Sequence, residues 1–166
     1  MRRVLIVVLL ALACSLVGGT VAAGASTRIA RNPVSAADWK IWTAMDADLV
    51  RLNHKISPQY AKCAALKRAD AIGVCDAKPL SRQARRTTKY SSTIGDIAAR
   101  SRPGQCRTAL LRYELAIQAT VSAAIVANKE LILANKVLWK SALTLEKQIK
   151  HVLGIDRANA ERLCKP

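Results

Sequence analysis

The chain has 166 residues, with 27 Lys and Arg against 11 Asp and Glu, so its formal net charge is +16. A charge of this size attracts anionic partners and opposes the compact state through self-repulsion. Aromatic residues make up 4% of the chain and Phe is absent, so the core must be built mainly from Leu, Ile, Val and Ala. Ala-rich sequence with few strand-forming residues favours helices.

The first 25 residues are typical of a secretory signal peptide. Arg2 and Arg3 give a positive start, residues 4–17 form an apolar run, and Ala23-Gly24-Ala25 supplies the small residues of a cleavage site. The run is shorter than the roughly 20 residues of a membrane span. We expect cleavage before Ser26 and a secreted, periplasmic or cell-envelope protein. Counting the apolar residues beyond the glycines leaves an uncleaved membrane anchor as an alternative.

The remainder of the chain predicts a flexible leader over residues 26–34 and a single helical domain over 35–166. After cleavage, 25 basic and 11 acidic residues remain, which gives a net charge of +14. Such a length suits one domain with a core of its own.

Apolar residues at steps of three and four predict a first helix over 35–56, with Trp39 and Trp42 on its core-facing side. Ser35 and Asp38 fit a capping box at its start.

Ser57-Pro58 predicts the end of that helix and the start of a second one. The second helix is expected to reach Ile72 and to end at Gly73. A loop containing Cys75 should then follow over 74–79.

A stripe of small and apolar residues with helical spacing predicts a helix over 80–100, and residues 102–104 form a turn. From Gln105 to Leu153 there is no Gly or Pro. One helix over this stretch would be about 70 Å long, whereas a break near Asn128 or Asn135 would give a hairpin. The sequence leaves both open.

The uncharged segment Leu115–Asn128 is too short for a bilayer and is expected to lie in the core. Gly154 is the expected end of the element, and Asp156 the start of a short final helix that carries Cys164. The predicted fold class is therefore all-α, a small helical bundle of four to five helices stapled by disulfides.

Four cysteines follow the signal peptide, and an even number in an exported chain predicts two disulfides. We favour the pairs Cys63–Cys75 and Cys106–Cys164. The second pair requires the 105–153 element to fold back, because disulfides need Cα atoms within about 7 Å. No C-x-x-C spacing is present, which argues against a metal site.

A basic cluster is the sharpest functional signal. Residues 78–112 hold nine basic residues and one acidic residue. Four of the cations share one face of the predicted helix: Arg82, Arg85, Arg86 and Lys89. Several cations on one face can bind a polyanion and release its counterions; the alternative is a solvated face that only keeps the protein soluble.

The sequence contains no catalytic constellation and no cofactor motif, so we expect a non-enzymatic protein without cofactor or small-molecule substrate. A haem site at His54 and Tyr60 is the weaker alternative to two ordinary surface residues.

The leading hypothesis is an exported, non-enzymatic basic helical protein that binds a polyanionic component of the envelope or of a host. The candidate polyanions are an envelope polymer, an anionic lipid and a nucleic acid. The alternatives are a protein that docks another protein through its helix faces and an envelope protein tethered by its amino terminus.

Overall fold

A computed structural model describes residues 32–166, except for the side chain of Lys136. The predicted signal peptide, Cys14 and most of the predicted leader lie outside these residues. The described chain is all-helical and contains four helices and two disulfides. The helices are α1 (Ala36–Ala64), α2 (Ala69–Arg100), α3 (Gln105–Ile132) and α4 (Lys136–Cys164).

Helix α1 begins as predicted and ends eight residues later than predicted. The Asp38 backbone N–H donates to Ser35 Oγ at 3.0 Å, which satisfies one of the orphan donors at the helix start. The expected break at Ser57-Pro58 is wrong, because α1 continues through it to Ala64. Pro58 is exposed, so water can hydrate the carbonyl that loses its intrahelical donor there.

The predicted helix end at Gly73 and the predicted loop over 74–79 are both wrong, because α2 continues through them without a break. A Cβ on Gly73 would lie 2.7 Å from Cγ1 of Ile132 in α3. This glycine therefore permits close helix packing rather than ending a helix. The predicted helix over 80–100 is confirmed as the remainder of α2.

Helices α3 and α4 form the hairpin alternative, with the break at Asn135. The Asn135 N–H donates to the Glu130 carbonyl and the Ala134 N–H to the Leu131 carbonyl, each at 3.0 Å, which is the Schellman pattern of a helix end. The Asn135 side chain then accepts from the Leu138 N–H and starts α4.

The expected helix end at Gly154 and the separate final helix from Asp156 are wrong, since α4 runs unbroken to Cys164. A lone glycine lowers helix stability but does not end a helix that is held by tertiary contacts.

Each helix packs against the next one in sequence, and the short turns make neighbours antiparallel. The best-buried core lies near the start of α1 and the end of α4, where Trp42, Ile94, Leu110 and Cys164 are at most 2% exposed. The Val34 N–H donates to the Cys164 carbonyl at 3.1 Å, which ties the start of the described chain to its end.

Helix α3 is long and apolar enough to cross a membrane by length and composition alone, as core helices of soluble proteins also are. Only a third of its most apolar window is buried. The uncharged segment of α3 therefore lies less deeply in the core than its composition predicted, and Leu115 is 64% exposed.

Candidate functional site: a basic helix face and a central cleft

The four cations of the predicted cluster are all exposed along α2. Successive helical residues are rotated by 100°, so Arg82, Arg85, Arg86 and Lys89 fall within about a third of the helix circumference. They extend over about 10 Å of the helix axis. We call these four residues the basic face. The structure thus places them together on one continuous helix.

One member of the basic face has an acidic neighbour. Arg86 Nη1 lies 3.5 Å from Asp48 Oδ2 in α1, and Arg51 Nη2 lies 3.5 Å from the other carboxylate oxygen. Exposed pairs at this distance contribute little to stability. Asp48 therefore offsets part of the charge of Arg86 and leaves its guanidinium accessible.

The other three members make no ion pair within residues 32–166. Arg82, Arg85 and Lys89 each present an exposed side chain that no carboxylate approaches closely enough for an ion pair. By contrast, Arg100, from the same basic segment, holds Asp38 with 2.6 Å between Nη2 and Oδ1. The hydrogen bond from Arg100 lowers the pKa of Asp38. The segment therefore divides into cations used by the fold and cations open to a ligand.

Tyr90 is adjacent in sequence to the basic face but faces the core, and it is 2% exposed. Its hydroxyl accepts from Trp42 Nε1 at 2.7 Å and lies 3.2 Å from the Tyr113 hydroxyl. Burial raises the pKa values of both tyrosines. The aromatic side chain nearest to the basic face in sequence is thus unavailable for stacking on a base.

A cleft of about 400 Å³ lies among the four helices, and sequence reasoning did not find it. Its wall is largely apolar, with Leu49 from α1, Leu80 from α2, Ile117 from α3 and Leu153 from α4. The small-residue stripe of α2 explains its position: Ile94 and Ala98 are buried, while Ala84 and Thr87 remain half-exposed in the cleft.

One end of the cleft is closed by a polar network. Arg157 Nη2 lies 2.7 Å from Asp46 Oδ2, which joins α4 to α1, and Arg157 Nε lies 2.8 Å from Glu161 Oε1. The hydroxyls of Tyr90 and Tyr113 reach the same end. The side chains of Arg157, Asp46 and Glu161 are 25–45% exposed, so these ion pairs are partly screened by solvent.

The other end of the cleft is also polar. The Tyr60 hydroxyl donates to Gln83 Oε1 at 3.1 Å, and Gln83 Nε2 donates to Asn53 Oδ1 at 3.1 Å. Glu146 and Lys150 form an ion pair with 2.6 Å between the charged atoms. Burial, with the nearby Asp76 and Glu146 carboxylates, raises the pKa of Tyr60 to about 12.

His54 and Tyr60, the residues of the weaker haem alternative, lie six residues apart on α1, about 240° around the helix from each other. His54 is exposed, and the Tyr60 hydroxyl is bonded to Gln83. Over residues 32–166, no three His, Cys, Asp or Glu side chains form a group that could hold a metal ion.

Both favoured cysteine pairs are bonded. Cys63–Cys75 joins the end of α1 to the start of α2, with a Cα–Cα distance of 5.5 Å. Cys106–Cys164 joins the start of α3 to the end of α4, at 4.9 Å.

Comparison of the chain with protein-family models, curated proteins and solved structures finds no match in any of the three.

Proposed function

We propose that the protein is an exported helical-bundle protein, not an enzyme, whose basic face binds a polyanionic component of the envelope or of a host surface. The observation that carries the proposal is a set of three exposed cations on one helix face that have no acidic partner among residues 32–166: Arg82, Arg85 and Lys89. Two disulfides support an oxidising location.

The geometry favours a repeating polyanion over a single small anion. The cations are arranged lengthwise along α2, so each can contact a different charged group of one polymer. Arg86 supplies a fourth contact once the polymer competes with Asp48. Nucleic acid, acidic polysaccharide and anionic lipid share this chemistry, but the four side chains of the basic face include no aromatic ring on which a base could stack.

The test replaces Arg82, Arg85 and Lys89 together with Gln. Gln is a good helix former, and the three side chains make no ion pair among the described residues, so the unfolding free energy should change by less than about 0.5 kcal/mol. Affinity for heparin, used as a model polyanion, should fall. The slope of log affinity against log salt should decrease by about two to three units if each cation meets an anionic group.

The matched control replaces Lys129, Lys140 and Lys147 with Gln. These lysines are also exposed and belong to α3 and α4, so the variant loses the same net charge from a different surface. Equal losses of heparin binding in the two variants would show that only bulk charge matters. Unchanged binding in both would remove the basic face as a site.

Docking of another protein is the second candidate, and the outer side of α3 favours it. Leu111, Leu115 and Ile125 are 42–64% exposed along this helix. Association through this surface should depend weakly on salt, unlike polyanion binding. A salt gradient applied to partners captured by the full-length exported protein separates the two candidates.

Export itself is tested by the intact mass of the secreted protein. We expect a chain that begins at Ser26. A mass that includes residues 1–25 would favour the tethered alternative.

A further inference from the structure

We propose that the cleft among the four helices binds an uncharged, largely apolar small molecule. The cleft is the space of about 400 Å³ lined by all four helices, a size within the range of ligand pockets. This site is separate from the basic face and makes no use of the polyanion chemistry above.

The charge of the lining indicates an uncharged ligand. Asp46 pairs with Arg157, and Glu146 pairs with Lys150. These are the charged side chains that line the cleft, and their formal charges cancel. In a protein with 27 basic and 11 acidic residues, a charge-balanced cleft disfavours both anionic and cationic ligands relative to neutral ones.

The distribution of polar groups indicates an elongated ligand. Apolar and small side chains lie between the two ends, including Ala84, Ile117 and Leu153, while hydrogen-bonding groups lie toward the ends. Tyr90 and Tyr113 present hydroxyls at one end, and Asn53 and Gln83 present amides at the other. An apolar body carrying a hydroxyl or carbonyl group matches this pattern.

Gly154 gives an independent reason to expect an occupant. It lies inside α4 and lines the cleft, although glycine destabilises a helix interior relative to alanine. A Cβ at this position would meet no atom within 4 Å, so packing in the free protein does not require glycine. A ligand that approaches the α4 backbone at the cleft mouth would require it.

The experiment measures binding of N-phenyl-1-naphthylamine, a neutral apolar fluorescent probe, to the full exported chain. We expect saturable binding to one site, with an affinity that changes little between low and high salt. Dodecanol should displace the probe, and dodecanoate should be no better a competitor. Absent probe binding, or binding that salt abolishes, would overturn the proposal.

The blocking variant is Gly154→Phe, which fills open space at the mouth and replaces a glycine inside a helix. Its apparent dissociation constant for the probe should rise by on the order of tenfold or more. Ala84→Leu, on the facing wall of the cleft, provides a second block if the first variant folds poorly. The control is Gln148→Phe, an exposed α4 position outside the lining, which should bind the probe as the parent protein does.

Equal probe binding by Gly154→Phe, Ala84→Leu and the control would place the probe elsewhere and overturn the proposal. So would conversion of a dimer to a monomer by Gly154→Phe in light scattering, because the occupant would then be a second copy of the chain. None of these outcomes depends on heparin binding by the basic face.

Discussion

Tyr90 and Tyr113, on different helices, share a hydrogen-bonded cluster with Trp42. The three rings lie with centroids about 6 Å apart in successive pairs, a spacing that favours aromatic contact. The Tyr90 hydroxyl accepts from the Trp42 Nε1–H, which would otherwise be an unpaired donor in the core. At the scale of the residue, the fold is therefore held by a polar contact inside an aromatic cluster.

The ionisation of tyrosine should limit stability at high pH. The chain has three tyrosines, and burial raises the pKa of each, to about 12 for Tyr60. An unfolded tyrosine ionises near pH 10, so above that pH the unfolded state binds fewer protons than the folded state. The tyrosine contribution to stability is fully present below about pH 10 and is lost as pH rises further.

The measurement is an alkaline titration that follows phenolate absorbance and helical circular dichroism together. We expect no phenolate near pH 10 while the helices are intact; Tyr60, whose pKa is about 12, should ionise first. A phenolate signal with an apparent pKa near 10 while the helical signal is intact would contradict the burial of these side chains.

At the scale of the element, the turn between α3 and α4 contains a residue in an unfavourable backbone conformation. Ala134 has φ of 52° and occupies the position after the helix cap that glycine usually fills. A Cβ in the left-handed region costs roughly 1–2 kcal/mol. The hydrogen bonds of the two helix ends around it hold the turn in place.

Ala134→Gly should stabilise the protein. It relieves the left-handed strain, and the larger conformational entropy of glycine in the unfolded chain offsets part of the gain. We expect a net gain of about 0.5–1 kcal/mol in the free energy of unfolding by urea. Gly154→Ala in α4 is a useful comparison, because it should stabilise by helix propensity alone; loss of stability in Ala134→Gly would contradict the observed turn.

At the scale of the whole molecule, the two disulfides secure opposite ends of the helices. Cys63–Cys75 closes a separation of 12 residues and Cys106–Cys164 one of 58 residues. Cys106 and Cys164, which close the longer loop, are both fully buried, at 0% exposure. The chain-entropy model gives about 3 kcal/mol for the short loop and about 4 kcal/mol for the long one.

Replacing Cys106 and Cys164 with Ala should therefore destabilise the protein more than replacing Cys63 and Cys75. Urea denaturation of the two paired variants measures the difference, with circular dichroism and Trp fluorescence compared to check two-state unfolding. An equal loss, or a larger loss from the local pair, would contradict this ranking. Alkylation of the denatured, unreduced mature protein should find no free thiol.

Sequence alone determined the features that depend on local periodicity and composition. Spacing and residue type predict the helical class, the Ser35 cap at the start of α1 and the core-facing side of Trp42. They also predict that the cations of the basic face share one side of a helix. They did not place the helix ends reliably. Pro58, Gly73 and Gly154 resemble stop signals, yet each lies within a helix, because packing of long helices outweighs the local cost of one residue. The turn at 65–68 contains neither Gly nor Pro, so the sequence did not predict that a helix ends there.

The choice between one long helix and a hairpin after Gln105 required the tertiary structure. It depends on contacts between α3 and α4, and the residues that make these contacts are far apart in the sequence. The tertiary structure also divided the basic segment, since Arg100 meets Asp38 62 residues away while Arg82 and Arg85 have no carboxylate near enough to pair with among the described residues. The cleft arises in the same way. Half-buried residues on four helices enclose it, and no stretch of sequence contains enough of its wall to reveal it.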